Sequence, residues 1–393
     1  MTLRTLDDLP DVNGWRVFVR ADFNVPIADG AVADDARITA TLTTIRELRE
    51  RGALLVLASH LGRPEGEPRD ELRLAPVGAR LAELLGEPVA SLGETAPATL
   101  PDAPVVLLEN LRFDAGEEAD DRGFAGRLAE LADAYVDDAF GAAHRDHASV
   151  SALPELMLAS GRPAVAGRLM QREVEVLSRL LRDPERPYVA VLGGAKVSDK
   201  LGVIGSLIDR VDALLVGGAM AFTLIAADGG EIGSSLCERD RFDAVRAAKD
   251  RARDRGVLLE VPQDVVAAAE ASLNAKPRTV PAAEIPRGLM GLDIGPKTVE
   301  EYARIIADAK TILWNGPMGV FEFEPFSAGT RGVATAIAHA HAFSVVGGGD
   351  SLLAVKRAEL SDAFDHLSTG GGASLEFLEG RALPGISILE DRR

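Results

Sequence analysis

Short unbroken apolar runs alternate along the chain with longer segments in which apolar residues recur every three or four positions. The runs include Val17-Phe18-Val19, LLVL at 54–57, YVAVL at 188–192, ALLV at 213–216 and FSVV at 343–346. Runs without polar alternation fit strands buried on both faces. Helical periodicity fills the gaps, as where RITATLTTIRELRERG precedes ALLVLASH. This alternation predicts βαβ units and a mainly parallel sheet covered by helices on both faces. QREVEVLSRLLRD, at 171–183, reads as one amphipathic helix with Val174, Leu177, Leu180 and Leu181 on one face, followed closely by Pro184 and Pro187. It fits either a connector between domains or a surface helix within one. No internal repeat or low-complexity tract interrupts the pattern.

The residues just after each predicted strand carry more information than the strand itself. In the first half VFV leads to Arg20, Asp22 and Asn24, and LLVLAS leads to His60, Gly62, Arg63 and Pro64. VVLLEN leads to Arg112, and AYVDDAFGAA leads to His144, Arg145 and His147. In the second half the strands run into GGAKVSDK, GGAM, NGPMG and GGGDS. Ligands of open α/β sheets sit beyond the carboxyl ends of the strands. The pattern predicts two domains, one holding its ligand with side chains and the other with backbone.

Charge narrows the ligands. The 393 residues carry a formal charge of -18, against a nucleic-acid or membrane-surface partner, though a local arginine cluster can still oppose that sign for a small anion. The lone cysteine, Cys237, leaves no intramolecular disulfide framework and suits a reducing compartment. MTLRTLDDLP has no apolar signal core, so a cytoplasmic protein is expected. Arginine is so preferred that the first lysine is Lys196, which makes a lysine more informative than an arginine.

Taken alone, Arg20-x-Asp22-x-Asn24 is either a strand end tied off by a turn before Pro26 or one wall of a ligand site. Its company favours the second: Arg37, His60, Arg63, Arg112 and Arg145 fall at or just beyond strand ends of the same half. Guanidinium forks suit bidentate capture of phosphate or carboxylate. His144-x-x-His147 lacks the HExxH pattern and a third ligand, so it reads as an ordinary loop pair. Gly193-Gly194-Ala195-Lys196, followed by Lys200, aims backbone N–H groups and two lysines at an anion, although it is not GxxxxGK[ST]. No GxGxxG follows the first strand. WNGPMGVFE, GGGDS and STGGGAS add glycine turns that let backbone approach a nucleotide closely, and Asp350 suits Mg²⁺ held jointly with substrate phosphates.

Together these motifs resemble those of the phosphoglycerate kinase family. VFVRADFNVP, HLGRP, LLENLRF, DAFGAAHR, GGAKVSDK, GGAMAFT, GLDIGP, WNGPMGVFE, GGGDS and STGGGASLE match in the family's order and span nearly the whole chain. The resemblance implies two Rossmann-like domains facing across a hinged cleft, with an N-terminal phosphoglycerate domain at 1–172 and an inter-domain helix at 173–187. A C-terminal nucleotide domain at 188–374 and a segment at 375–393 returning to the first domain complete the expectation. The implied substrates are 3-phosphoglycerate or 1,3-bisphosphoglycerate and ATP or ADP with Mg²⁺, handled by a monomer.

The resemblance also implies roles. Asp22, Phe23 and Asn24 take the glycerate hydroxyl and carboxylate end, and His60, Leu61, Gly62, Arg63, Arg112 and Arg145 the 3-phosphate side. Arg37 and Lys200 neutralise the phosphoryl group in flight, helped by backbone N–H groups at Gly371 and Gly372. Gly194, Ala195, Lys196, Gly291, Asn315, Pro317, Gly348, Gly349 and Ser351 line the nucleotide site, Glu322 binds the ribose, and Asp350 holds the metal. Because the acceptor is an ionised carboxylate, transfer needs no general base. Two positions depart from the family: Asp146 stands beside Arg145, and Arg168 replaces a large apolar residue. The weaker alternatives are a two-domain nicotinamide dehydrogenase, which lacks its glycine fingerprint here, and a non-enzymatic anion-binding protein, which leaves Lys200 without a role.

Overall fold

The unbroken apolar runs become the central strands of two parallel sheets, each in its own compact unit. In this computed structural model, which describes residues 2–391, one unit comprises Met1–Glu175 with Ala382–Arg393 and the other Val176–Arg381. Residues 1, 392 and 393, at the ends of the expected first and last segments, lie outside the described residues. The division falls inside the helix Arg168–Arg182, which contains most of the QREVEVLSRLLRD run and begins three residues before it.

The first unit holds a six-stranded, wholly parallel sheet. Its order is Ala90–Ser91, Val105–Leu107, Leu54–Ala58, Arg16–Ala21, Ala134–Asp138 and Ala164–Ala166. Strand order reverses at Arg16–Ala21, and a ligand crevice forms at such switch points. Ala134–Asp138 is buried at every position, so both faces of the sheet are covered and alternation is lost. The helix Ala36–Glu50 turns Ile38, Leu42, Ile45 and Leu48 inward. Each fully buried side chain of this kind contributes about 1.5–3 kcal/mol. From Ala382 the chain joins this unit, burying Leu383, Ile386 and Leu389, with the Gly385 N–H donating to the Ala143 carbonyl at 3.0 Å.

The second unit repeats the plan with strands Leu258–Glu260, Ala213–Val216, Tyr188–Leu192, Thr311–Asn315, Phe343–Gly347 and His366–Ser368, all parallel. Trp314 is fully buried and donates its indole N–H to the Gly316 carbonyl at 2.8 Å. A three-stranded antiparallel sheet of Arg278–Pro281, Asp264–Ala268 and Met290–Ile294 stands apart from the parallel one. The apolar-run pattern does not reveal it, because RTVP is largely exposed and ends on a proline.

Both departures from the family pattern have local partners. Asp146 is exposed and accepts the Ser151 hydroxyl at 3.1 Å. Arg168 reaches Asp7 Oδ1 at 2.6 Å and Glu47 Oε1 at 2.7 Å, so an ion cluster stands where an apolar contact was expected. The helix start beside it is fixed by Asp138, whose Oδ1 accepts the N–H groups of Leu169 and Met170 at 2.9 and 3.1 Å. Replacing Arg168 by Leu is expected to lower the unfolding free energy of the first unit by about 1 kcal/mol. The loss should shrink in high salt; an equal loss at all ionic strengths in denaturant titrations would refute the ionic account.

Candidate functional site

At the carboxyl end of Arg16–Ala21 the chain turns through Asp22, Phe23 and Asn24, and each is tied down separately. Asp22 Oδ1 accepts the Asn24 N–H at 3.2 Å, and its Oδ2 accepts Arg37 Nη1 at 2.6 Å. Phe23 is buried and donates its N–H to Ser59 Oγ at 2.8 Å. Asn24 Oδ1 takes the Gly62 N–H at 3.0 Å, joining the first strand end to the second. The Gly62 carbonyl in turn accepts Arg112 Nη1 at 2.7 Å, which joins the third. Leu61 is held by Asn110, which accepts its N–H at 3.2 Å and donates to its carbonyl at 2.8 Å. The turn is what holds Asp22 and Asn24 at the strand end.

Electrostatics place several of the basic residues in a small volume. His60 is buried, and burial together with the fields of Arg20, Arg112, Arg37 and His147 holds its imidazole well below its usual range. Burial, then the neighbouring Arg145 charge, lowers Arg112 to about 10. Burial and Arg112 push His147 down to about 3. Arg63 is exposed on the turn after Gly62. Such a concentration of positive charge can attract a small anion locally even in a chain of net charge -18.

In the second unit the central strands Tyr188–Leu192 and Thr311–Asn315 lie side by side, and the glycine turns leaving them meet. Gly193 donates to the Asn315 carbonyl at 3.0 Å and Gly194 to the Pro317 carbonyl at 3.0 Å. Beside that meeting point lies a pocket of about 230 Å³ that gathers Gly194, Ala195, Gly291, Pro317, Glu322 and Asp350 from the expected set. Its apolar walls are Phe222, Leu236, Leu292 and Met318. Leu236, 66% exposed in a loop, lies outside the sequence motifs, whereas Phe222, Leu292 and Met318 fall inside GGAMAFT, GLDIGP and WNGPMGVFE without an assigned role there. Their apolar faces suit a flat base.

Other expected residues stand around that pocket in different ways. Asn315 is buried at the meeting of the turns, and Ser351 is fully buried, accepting the Gly316 N–H at 2.6 Å. Gly348 precedes and Gly349 opens the helix Gly349–Arg357, which carries Asp350 in its first turn. Lys196 is exposed. Lys200 immediately precedes the helix Leu201–Leu207, and burial lowers its amine to about 8 against the opposing pull of Asp199 and Asp350. Gly371, at φ +56°, precedes the short helix that Gly372 opens. Asp293, unforeseen, borders the pocket and accepts the Gly329 N–H at 2.6 Å, while burial raises its carboxyl to about 7. Among the described residues no group of three or more His, Cys, Asp or Glu side chains is arranged to hold a metal unaided, and no helix is long and apolar enough to cross a membrane.

A cluster of arginines and histidines on one α/β unit and a glycine-and-apolar pocket on another suit a nucleotide-dependent phosphotransferase. Comparison with known proteins makes the assignment specific. Residues 6–381 match the family model described as "Phosphoglycerate kinase". The phosphoglycerate kinase of Salinispora tropica is 54% identical over 406 aligned positions, covering 99% of this chain and 100% of that protein. That of Rubrobacter xylanophilus is 53% identical, covering 100% and 99%. Among solved structures, phosphoglycerate kinase from Coxiella burnetii superposes with a TM-score of 0.88 at 42% identity, covering 98% of each chain. The chain belongs to the phosphoglycerate kinase family, and it is a phosphotransferase.

Proposed function

We propose that the protein transfers the γ-phosphoryl group of ATP reversibly to the carboxylate of 3-phosphoglycerate, giving ADP and 1,3-bisphosphoglycerate. The observation that carries this reading is the positive field converging on His60 from Arg20, Arg37 and Arg112 in a strongly acidic chain. Asp22 and Asn24 take the hydroxyl and carboxylate end of the glycerate. His60, Arg63, Arg112 and Arg145 take the 3-phosphate, and the backbone of Phe23, Leu61 and Gly62 sets their spacing. Arg37, held by Asp22 at 2.6 Å, neutralises charge on the carboxylate as it becomes an acyl phosphate.

On the nucleotide side, Glu322 binds the ribose, Gly291 and the apolar walls take the base, and Gly194, Ala195, Lys196 and Pro317 border the phosphates. Lys200 and the backbone N–H groups at Gly371 and Gly372 neutralise the phosphoryl group in transit. Asp350 offers one exposed carboxylate at a pocket rim, which fits Mg²⁺ shared with nucleotide phosphates better than a cation caged by protein alone. When bound there, the ion would neutralise phosphate charge. A carboxylate acceptor is ionised at neutral pH, so no side chain need remove a proton, and alignment with charge neutralisation suffices. Action in the cytoplasm agrees with the single cysteine, and a monomeric state follows the family resemblance.

The direct test is a coupled assay of purified protein with MgATP and 3-phosphoglycerate, following 1,3-bisphosphoglycerate. Turnover is expected; folded protein without it would sink the kinase reading.

A further inference from the structure

Arg20 differs from the other arginines of the anion crevice because it is fully enclosed. Its Nε donates to Ser149 Oγ at 2.8 Å, its Nη1 to the Ala21 carbonyl at 2.5 Å, and its Nη2 lies 4.0 Å from Glu117 Oε1. That cradle is itself rigid. Ser149 donates its hydroxyl to Glu117 Oε1 at 2.6 Å and its N–H to Oε2 at 3.0 Å, while its carbonyl accepts the Tyr135 hydroxyl at 2.8 Å. Glu117 and Tyr135 are both fully buried. With the guanidinium so held, Nη2 meets His60 Nδ1 at 3.2 Å.

A guanidinium keeps its protons and has no acceptor, so the ring nitrogen it meets must supply the lone pair. The proton of a neutral imidazole then sits on the other nitrogen. We propose that Arg20 is a positioning residue that, anchored by Ser149 and Glu117, fixes His60 as the neutral Nε2–H tautomer, so that His60 offers the substrate anion a directed N–H donor and carries no proton through turnover. The proposal rests on the reading of His60 as part of the phosphoglycerate site. The strongest fields on His60 come from Arg20, Arg112, Arg37 and His147, none of them negative. Asp22, the carboxylate of the adjoining turn, is paired with Arg37 at 2.6 Å. Glu117, a buried carboxylate of the cluster, is taken up by Ser149 and Arg20 and lies 3.9 Å from His147 Nδ1. A neutral donor adds a hydrogen bond to the anion without a further like charge among the arginines.

Two-bond ¹H–¹⁵N correlation spectra of the full chain read the tautomer directly, and His60→Asn assigns His60 among the six histidines. The wild-type protein should show a bare Nδ1 and a protonated Nε2 on His60, unchanged from about pH 8 to about pH 5.5. An Nδ1–H form, or an imidazolium within that range, overturns the proposal. Arg20→Lys keeps the charge but misplaces the donor. It should mix the His60 tautomers and raise KM for 3-phosphoglycerate about tenfold, with KM for ATP unchanged. A wild-type His60 pattern in Arg20→Lys also overturns it. Should Arg20→Lys fail to fold, the wild-type spectrum decides alone. A protein with the expected spectrum but no kinase turnover would refute the phosphoglycerate reading and leave the Arg20–His60 pairing standing.

Discussion

Lys200→Ala should lower kcat by about 10²–10³-fold while changing KM for ATP little, the mark of a charge used in the transition state rather than in substrate binding. Removing the amine leaves the apolar-walled pocket and Glu322 intact. Lys196→Ala serves as the contrast: its side chain is exposed, so its loss should raise nucleotide KM modestly and spare kcat. The pH dependence adds a second readout. Burial lowers Lys200 to about 8, so the free enzyme loses this positive charge as pH rises through that value. The rate constant kcat/KM should therefore fall on the alkaline side, because it reports groups of the free enzyme. In kcat the fall should move to higher pH, since bound phosphates favour the charged amine. An alkaline limb that persists unchanged in Lys200→Ala would assign it to another group.

Gly218→Ala should be a severely damaging single-carbon change at the nucleotide pocket. Gly218 has φ +65°, and a Cβ there would lie 2.5 Å from both the backbone N and the O of Gly194, atoms that no rotamer change can move. Left-handed backbone costs a non-glycine residue about 1–2 kcal/mol, and a forced backbone contact costs about 1–3 kcal/mol more. A loss of about 3 kcal/mol in the second unit is expected, with a higher KM for ATP because Gly194 lines the pocket. Gly229→Ala isolates the first contribution: φ is +92° with nothing within 4 Å of the added carbon. Denaturant midpoints measured for both variants should separate clearly, and equal losses would mean that the contact with Gly194 relaxes freely.

The parts of the fold legible in the sequence are those where burial on both faces erases alternation, as in YVAVL and TILWN. The gathering of basic residues was legible because the arginines and histidine recur at strand ends, a placement that composition alone does not produce. Its support was not. Glu117 and Ser149 lie 32 residues apart, and nothing in AGEE or HASV marks them as partners of Arg20. Ser351 shows a different limit: a serine in a glycine turn reads equally as a ligand contact or a backbone brace, and here it is buried against Gly316. The antiparallel sheet around Asp264–Ala268 escaped notice because its strands are at most five residues long and one of them, Arg278–Pro281, is largely exposed, so the periodic signal is small.

The seam between the ends of the chain bears on how the protein is made. Gly385 props the Ala143 carbonyl just before His144 and Arg145, and Arg4 donates its N–H to the Leu389 carbonyl. Synthesis runs in one direction, so residues 176–381 must all leave the ribosome before Ala382 can reach this position. The inserted unit can finish while its host still lacks Leu383, Ile386 and Leu389 from its interior. The first unit to emerge is therefore the last able to complete its interior, and the loop bearing Arg145 lacks its Gly385 contact on the nascent chain until the tail docks.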